Sequence, residues 1–149
     1  LANNAMPLNL DAWDGYPRCR DRVQEMFSDA RANPVVLAGD THNAWGFNLT
    51  NETGENFGIE IGTPAITSPG WETYIPIDPK VIEDAVKKSS TELAYLDASR
   101  RGWAEITLSQ ESVLSRWHFV DEILDKDYKV TRTDPMTCLP GGRQFQRTV

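Results

Sequence analysis

The chain has 149 residues, of which 40% are hydrophobic and 25% charged, a composition typical of one folded globular domain. Its net charge of −7 and the absence of any basic block argue against a nucleic-acid surface, which needs clustered Lys and Arg. No stretch has the about 18 apolar residues of a membrane span, and no signal segment opens the sequence. Because the chain begins with Leu1, we expect it to be part of a longer protein.

The first predicted helix covers residues 17–32 and follows a turn-rich opening loop. Pro17 suits the first position of a helix, and Val23 and Phe27 recur at helical spacing. The helix should stop before Pro34, because the residue that precedes a proline avoids helical geometry.

The next segments predict strands. Residues 35–38 are all apolar and end at Gly39, which indicates a short, fully buried strand. Residues 46–62 contain two strand-like runs separated by turn formers, the pattern of a hairpin. Residues 66–76 contain two prolines and a glycine, so we expect a loop there.

The second half of the chain predicts one helix and one hairpin. The helix covers residues 79–89 behind a capping Asp78, and a loop that contains Tyr95 follows it. The hairpin covers residues 103–123, and the tail over residues 131–149 should run across the surface unless Cys138 anchors it. These elements predict an α+β fold.

Cys19 and Cys138 are the two cysteines. They are too few for a disulfide framework and are not spaced as a metal-binding knuckle. The sequence leaves open whether they form one bridge or remain free thiols.

Polar residues follow the strand at 35–38 directly. In an extended chain, Asp40 and His42 would project to the same side, where one carboxylate and one imidazole suit Fe, Zn or Mn. The alternative is that Asp40 caps a turn while His42 is a hydrogen-bonded structural histidine. Leaving these groups buried without partners would cost several kcal/mol, so we expect a partner to satisfy them, either a metal ion or hydrogen bonds within the protein.

Four motifs, WDGYP, VVLAGDTHNAW, IEIGTPAITSPG and RRGW, resemble in order and spacing the alkaline phosphatase D family over residues 11–121. The resemblance implies the C-terminal half of a four-layer αββα sandwich of the calcineurin-like metallophosphatases. It also implies that Asp40 and His42 are catalytic metal ligands of a binuclear or multinuclear centre with Fe and a divalent Ca, Zn or Mn ion. The implied reaction is hydrolysis of phosphate monoesters or diesters by a metal-bound hydroxide.

The same resemblance suggests substrate contacts. Asn43, Trp45, Asp14 and Tyr16 are the candidates for substrate binding. For Asn43 the alternative is a turn-stabilising role, and for the WDGYP loop it is aromatic packing with Pro17 starting the helix. The loop with Pro69 and the histidine at position 118 are expected to be structural.

A binuclear site needs about seven or eight ligand atoms, and this chain offers one compact pair. We therefore expect a complementary N-terminal polypeptide as partner and a small phosphate ester as substrate. The resemblance also implies a periplasmic or secreted location. The alternatives that remain open are a phospholipase D-type phosphodiesterase of the same family and a metal-free, non-catalytic domain.

Overall fold

The computed structural model describes residues 10–30 and 32–146 of the chain. The predicted opening loop over residues 1–9, residue 31 at the end of the first predicted helix, residues 147–149 of the tail and the side chain of Asp14 lie outside the described part. Within it the chain forms three α-helices and eight strands in two sheets. In chain order these are a 3-10 turn at Trp13–Gly15, α1 Pro17–Asp29, β1 Val35–Ala38, β2 Ala44–Thr50, β3 Asn56–Gly62, α2 Trp71–Tyr74, α3 Pro79–Ser89, β4 Leu93–Asp97, β5 Arg101–Leu108, β6 Val113–Val120, β7 Val130–Arg132 and β8 Met136–Cys138.

Each long helix begins at a proline, as the sequence predicts. Proline suits the first turn because the missing N–H is one that a helix leaves unsatisfied. At α3 the carboxylate of Asp78 also accepts a hydrogen bond of 2.8 Å from the backbone N–H of Lys80, and the helix covers Pro79–Ser89. Helix α1 ends at Asp29, three residues before the predicted end at 32.

The first sheet has the strand order β1-β3-β2-β4. β2 and β3 form an antiparallel pair within the predicted hairpin, and β1 lies parallel to β3 with Val35 opposite Ile59. β1 is therefore an edge strand, and the prediction of a fully buried strand is wrong: Leu37 is 65% exposed. Side chains project from the faces of a sheet, so this exposure means that no described element covers the face from which Leu37 projects.

The second sheet is built on β5 and β6, with β7 and β8 both paired to β6. The core lies where this sheet faces the first one. Its members are all buried: Ala44, Ile59, Ile61, Trp117, Phe119, Cys138 and Phe145. The indole N–H of Trp117 donates across the interface to the carbonyl oxygen of Gly62 at 2.8 Å, so the two sheets are joined by a buried hydrogen bond as well as by apolar contact.

Three expectations for loops are corrected, and the first concerns residues 66–76, where Trp71–Tyr74 form the short helix α2. The segment around Tyr95 is strand β4, because the free edge of β2 provides it with a pairing partner. Part of the tail is also paired, in β7 and β8, and Cys138 and Phe145 are buried in the core. Cys138 anchors the tail by burial and not by a bridge, since both cysteines are free thiols.

Candidate metal centre

The turn that follows β1 has an unusual backbone. Strand β1 ends at Ala38, whose carbonyl accepts from the N–H of Thr63 at 2.9 Å. Asp40 and His42 then both adopt left-handed conformations, with φ angles of 69° and 60°. Residues with a Cβ seldom do so, and such strain is concentrated at functional sites. The N–H of Thr41 donates to the Gly39 carbonyl at 2.8 Å, which closes the turn around Asp40.

His42 has a defined hydrogen bond on one side of its ring. Its Nδ1 lies 2.7 Å from the carbonyl oxygen of Pro69. A carbonyl can only accept, so Nδ1 must carry the proton, and the other ring nitrogen, Nε2, keeps its lone pair in the neutral imidazole. Metal-binding histidines are generally held in this way, with the second nitrogen bonded to a carbonyl or carboxylate.

Asp40 provides the second candidate ligand from the same turn. Its residue is exposed, so its carboxylate is accessible from outside this chain. Among the described residues, no group of three or more His, Cys, Asp or Glu side chains is arranged to hold a metal ion. An oxygen donor and an imidazole nitrogen suit a transition-metal ion, but two side chains leave most of its coordination positions to other donors.

Trp45 packs beside this turn. Its indole N–H donates to the hydroxyl of Thr41 at 2.8 Å, and its ring stacks on Phe47 and meets Trp71 edge-on, with centroids 5.5 and 5.4 Å away. The ring is partly exposed. Trp45 thus packs against the turn that carries the two candidate ligands.

Asn43 follows His42 but faces the interior. It is fully buried, and its amide nitrogen donates to the carbonyl of Ala98 at 2.7 Å. This bond ties the candidate site to the turn between β4 and β5. The side-chain oxygen of Asn43 is buried without a hydrogen-bond partner among the described residues. In this arrangement the amide N–H group that could donate to a phosphate oxygen is directed to Ala98.

The WDGYP residues lie on the 3-10 turn before α1. Trp13 is 53% exposed and Tyr16 60% exposed, so aromatic burial does not hold this loop. The turn is instead closed by the N–H of Gly15, which donates to the Ala12 carbonyl at 2.9 Å. The ring of His42 bonds to Pro69 and not to either of these aromatic side chains, whose contact with substrate stays a prediction.

His118 is distant in sequence and has other partners. Its ring stacks on Trp103 with a centroid distance of 5.0 Å, and its Nε2 lies 2.6 Å from a carboxylate oxygen of Glu105. All three residues lie on the β5–β6 pair. This is the structural histidine that its aromatic neighbours predict.

The loop that supplies Pro69 is itself anchored, a feature that the sequence reasoning missed. The N–H of Gly70 donates to a carboxylate oxygen of Glu72 at 3.3 Å, and the same oxygen is paired with the guanidinium of Arg101. Arg101 is nearly buried, and burial lowers the pKa of its guanidinium from the ordinary value. The motifs IEIGTPAITSPG and RRGW contain Gly70 and Arg101, but neither motif indicates that these two residues lie close together in the fold.

Comparison with known proteins shows the family of the chain and its fold. A family model described as PhoD-like phosphatase matches residues 1–117. Over 115 residues the chain is 30% identical to alkaline phosphatase D of Bacillus subtilis (strain 168), a match that covers 73% of this chain. It is also similar to a solved structure described as that of PhoD, with a TM-score of 0.72 and 19% sequence identity over 91% of this chain.

The structural similarity confirms the α+β fold and is consistent with one part of a metallophosphatase sandwich. The chain spans 19% of the length of the curated relative and 26% of the solved chain. No helix among the described residues is long and apolar enough to cross a membrane.

Proposed function

The chain belongs to the PhoD-like phosphatase family, and we propose that it forms part of a metal-dependent phosphatase that hydrolyses phosphate monoesters or diesters. The observation that carries this proposal is the 2.7 Å contact between Nδ1 of His42 and the Pro69 carbonyl. It leaves the lone pair of Nε2 of His42 available to a ligand bond, in the same turn as the exposed residue Asp40. Family membership supports a phosphatase-type function; the metal and the ester class are the parts that we add.

The roles of the residues follow from their contacts. His42 and Asp40 would hold metal ions of a binuclear or multinuclear centre, Fe with a divalent Ca, Zn or Mn ion. When bound, such ions polarise the phosphoryl group and lower the pKa of water, so that a nucleophile exists at neutral pH. Pro69 fixes the His42 tautomer, and Trp45 packs against Thr41 in the same turn. Trp45, Asp14 and Tyr16 remain candidates for contact with the phosphate ester, whereas Asn43 is fully buried and its amide donates to the Ala98 carbonyl.

The remaining ligands would come from a complementary N-terminal polypeptide. Two features favour such a partner: the described residues provide one ligand pair, and β1 has an unpaired edge with Leu37 exposed immediately before the site. A partner strand on that edge would cover Leu37 and bring its own ligands to the turn. The proposed location is the periplasm or the exterior of the cell, which fractionation of the native protein would test.

The proposal is tested by replacing each histidine of this chain in turn. In the complete protein, His42→Gln should lose most of its bound metal and at least about a hundredfold in phosphatase activity, since a ligand is removed. His118→Gln is the matched control and should retain both metal and activity. Metal content is measured by elemental analysis and activity with a nitrophenyl monoester, its bis-ester and a phospholipid, which also separates phosphatase from phospholipase D-type activity. Full metal content in His42→Gln would refute the assignment.

One observation favours a second candidate, a non-catalytic domain that binds no metal. Within residues 10–30 and 32–146 no third metal-binding side chain joins Asp40 and His42. Elemental analysis of the native protein discriminates the two functions. Stoichiometric metal supports the phosphatase, whereas its absence from protein purified without chelators supports the non-catalytic domain.

A further inference from the structure

One planar peptide group connects His42 to the ion pair of Glu72 and Arg101. The carbonyl of Pro69 and the N–H of Gly70 belong to the same peptide unit, and they point in opposite directions because the unit is planar and trans. The carbonyl accepts from Nδ1 of His42 at 2.7 Å, while the N–H donates to the carboxylate of Glu72 at 3.3 Å. The peptide is therefore held at both ends.

The carboxylate is fixed in turn by a cation. The oxygen of Glu72 that accepts from Gly70 also pairs with the guanidinium of Arg101, whose side chain is 7% exposed. A second nitrogen of Arg101 donates to the carbonyl of Ser99 at 3.0 Å, which ties the guanidinium to the turn before β5. The carboxylate of Glu72, whose side chain is 28% exposed, is therefore held in place beside the Gly70 N–H and can polarise that peptide group.

We infer that Glu72 and Arg101 are positioning residues, which act on His42 through the Pro69–Gly70 peptide. A negative carboxylate on the N–H side of a peptide makes its carbonyl oxygen a better acceptor, because hydrogen bonds in series polarise one another. The stronger acceptor holds the His42 proton on Nδ1 and keeps Nε2 available for a ligand bond. The arrangement is a carboxylate–histidine pair with one peptide group inserted between its members. As a statement about metal binding, the inference rests on the proposed function.

Gly70 has a specific place in this arrangement. A Cβ at Gly70 would lie 2.7 Å from a carboxylate oxygen of Glu72 and 3.0 Å from a guanidinium nitrogen of Arg101. Any side chain at this position would therefore displace the ion pair from the peptide. Gly70→Ala thus perturbs the same connection without changing a charge.

The direct test is the tautomer of His42, read from a proton–nitrogen correlation spectrum of histidine rings in the complete, metal-stripped protein. The signals of His42 are identified by their loss in His42→Gln. The wild type should carry the proton on Nδ1. Glu72→Gln keeps the shape but removes the charge, so the population should move toward the Nε2–H form, and Gly70→Ala should do the same. Glu111→Gln, which changes an exposed glutamate in the β5–β6 turn, is the matched control and should leave the tautomer unchanged.

Metal binding gives the second measurement. Zn²⁺ affinity, measured by competition with a chromophoric chelator, should fall about tenfold in Glu72→Gln, the size of effect found for residues that orient metal ligands. A wild-type His42 in the Nε2–H form, or a tautomer unaffected by Glu72→Gln and Gly70→Ala, overturns the inference, and either variant is a sufficient test where the other does not fold. If the tautomer shifts while His42→Gln keeps its Zn²⁺, the positioning connection stands and the metal role of His42 fails.

Discussion

The left-handed backbone at Asp40 makes a prediction that separates strain from ligation. Asp40→Gly and Asp40→Ala both remove the carboxylate, but only glycine adopts a φ of 69° without a steric penalty. A Cβ in this region costs about 1–2 kcal/mol. The glycine variant in turn loses about 0.4–1 kcal/mol through the greater freedom of its unfolded chain.

The difference leaves Asp40→Gly more stable than Asp40→Ala by about 1 kcal/mol, which in a domain of this size is a Tm about 2–4 °C higher. Thr41 offers a matched control in the same turn, because its φ is not positive. At Thr41 both replacements lose the hydroxyl that accepts from Trp45, and the order should be reversed, with Thr41→Gly less stable than Thr41→Ala.

Thermal unfolding followed by circular dichroism measures all four variants, and elemental analysis is carried out on the same samples. Both Asp40 variants should lose metal to the same extent, because both lack the carboxylate. The backbone strain depends on the Cβ atom and therefore differs between them. The reasoning is refuted if Asp40→Ala is as stable as Asp40→Gly, or if the two positions show the same order.

Three further predictions follow from burial and packing. Burial raises the pKa of Glu60, so its carboxyl group holds a proton more tightly in the folded state than in the unfolded state, where the pKa is about 4.3. The free energy of unfolding therefore falls as the pH rises from that value through the higher pKa of the folded state. Glu60→Gln should therefore be more stable than the wild type in urea at pH 7 and equal to it near pH 4. Cys19 is exposed whereas burial raises the pKa of the Cys138 thiol, so a maleimide should label Cys19 first, as peptide mass spectrometry would show. Gly58→Ala would put a Cβ 2.6 Å from the Pro34 carbonyl, and Tm should fall by an amount that corresponds to about 1–3 kcal/mol.

Elements with local end signals could be predicted from the sequence, and those that depend on pairing could not. Asp78 and Pro79 fix the start of α3 by their own chemistry, and the prediction of residues 79–89 agrees with Pro79–Ser89. β4 has no such signal and exists because β2 offers it an edge. The three-residue strands β7 and β8 likewise depend on β6, which lies 10 or more residues away in sequence.

The candidate site divides in the same way. Asp40 and His42 could be chosen from the sequence because a carboxylate and an imidazole follow a strand. The hydrogen bond of His42 could not be predicted from the sequence, because the Pro69 carbonyl lies 27 residues away and becomes its partner only when the fold is complete. Glu72 and Arg101 are separated by 29 residues, and their pairing is equally a product of the fold.

The left-handed backbone at Asp40 and His42 is unusual within this chain. Elsewhere the chain places glycine at left-handed positions: Gly54 and Gly141 have φ angles of 82° and 77°, with open space where a Cβ would lie. Arg143 is left-handed as well, so one strained residue does not identify a site. The turn after β1 differs because two such residues stand within three positions, at about 1–3 kcal/mol each. Glycine would relieve that cost at either position. The side chains that stand there instead are an exposed carboxylate and an imidazole bonded to the Pro69 carbonyl, which are the ligand types of the proposed metal site.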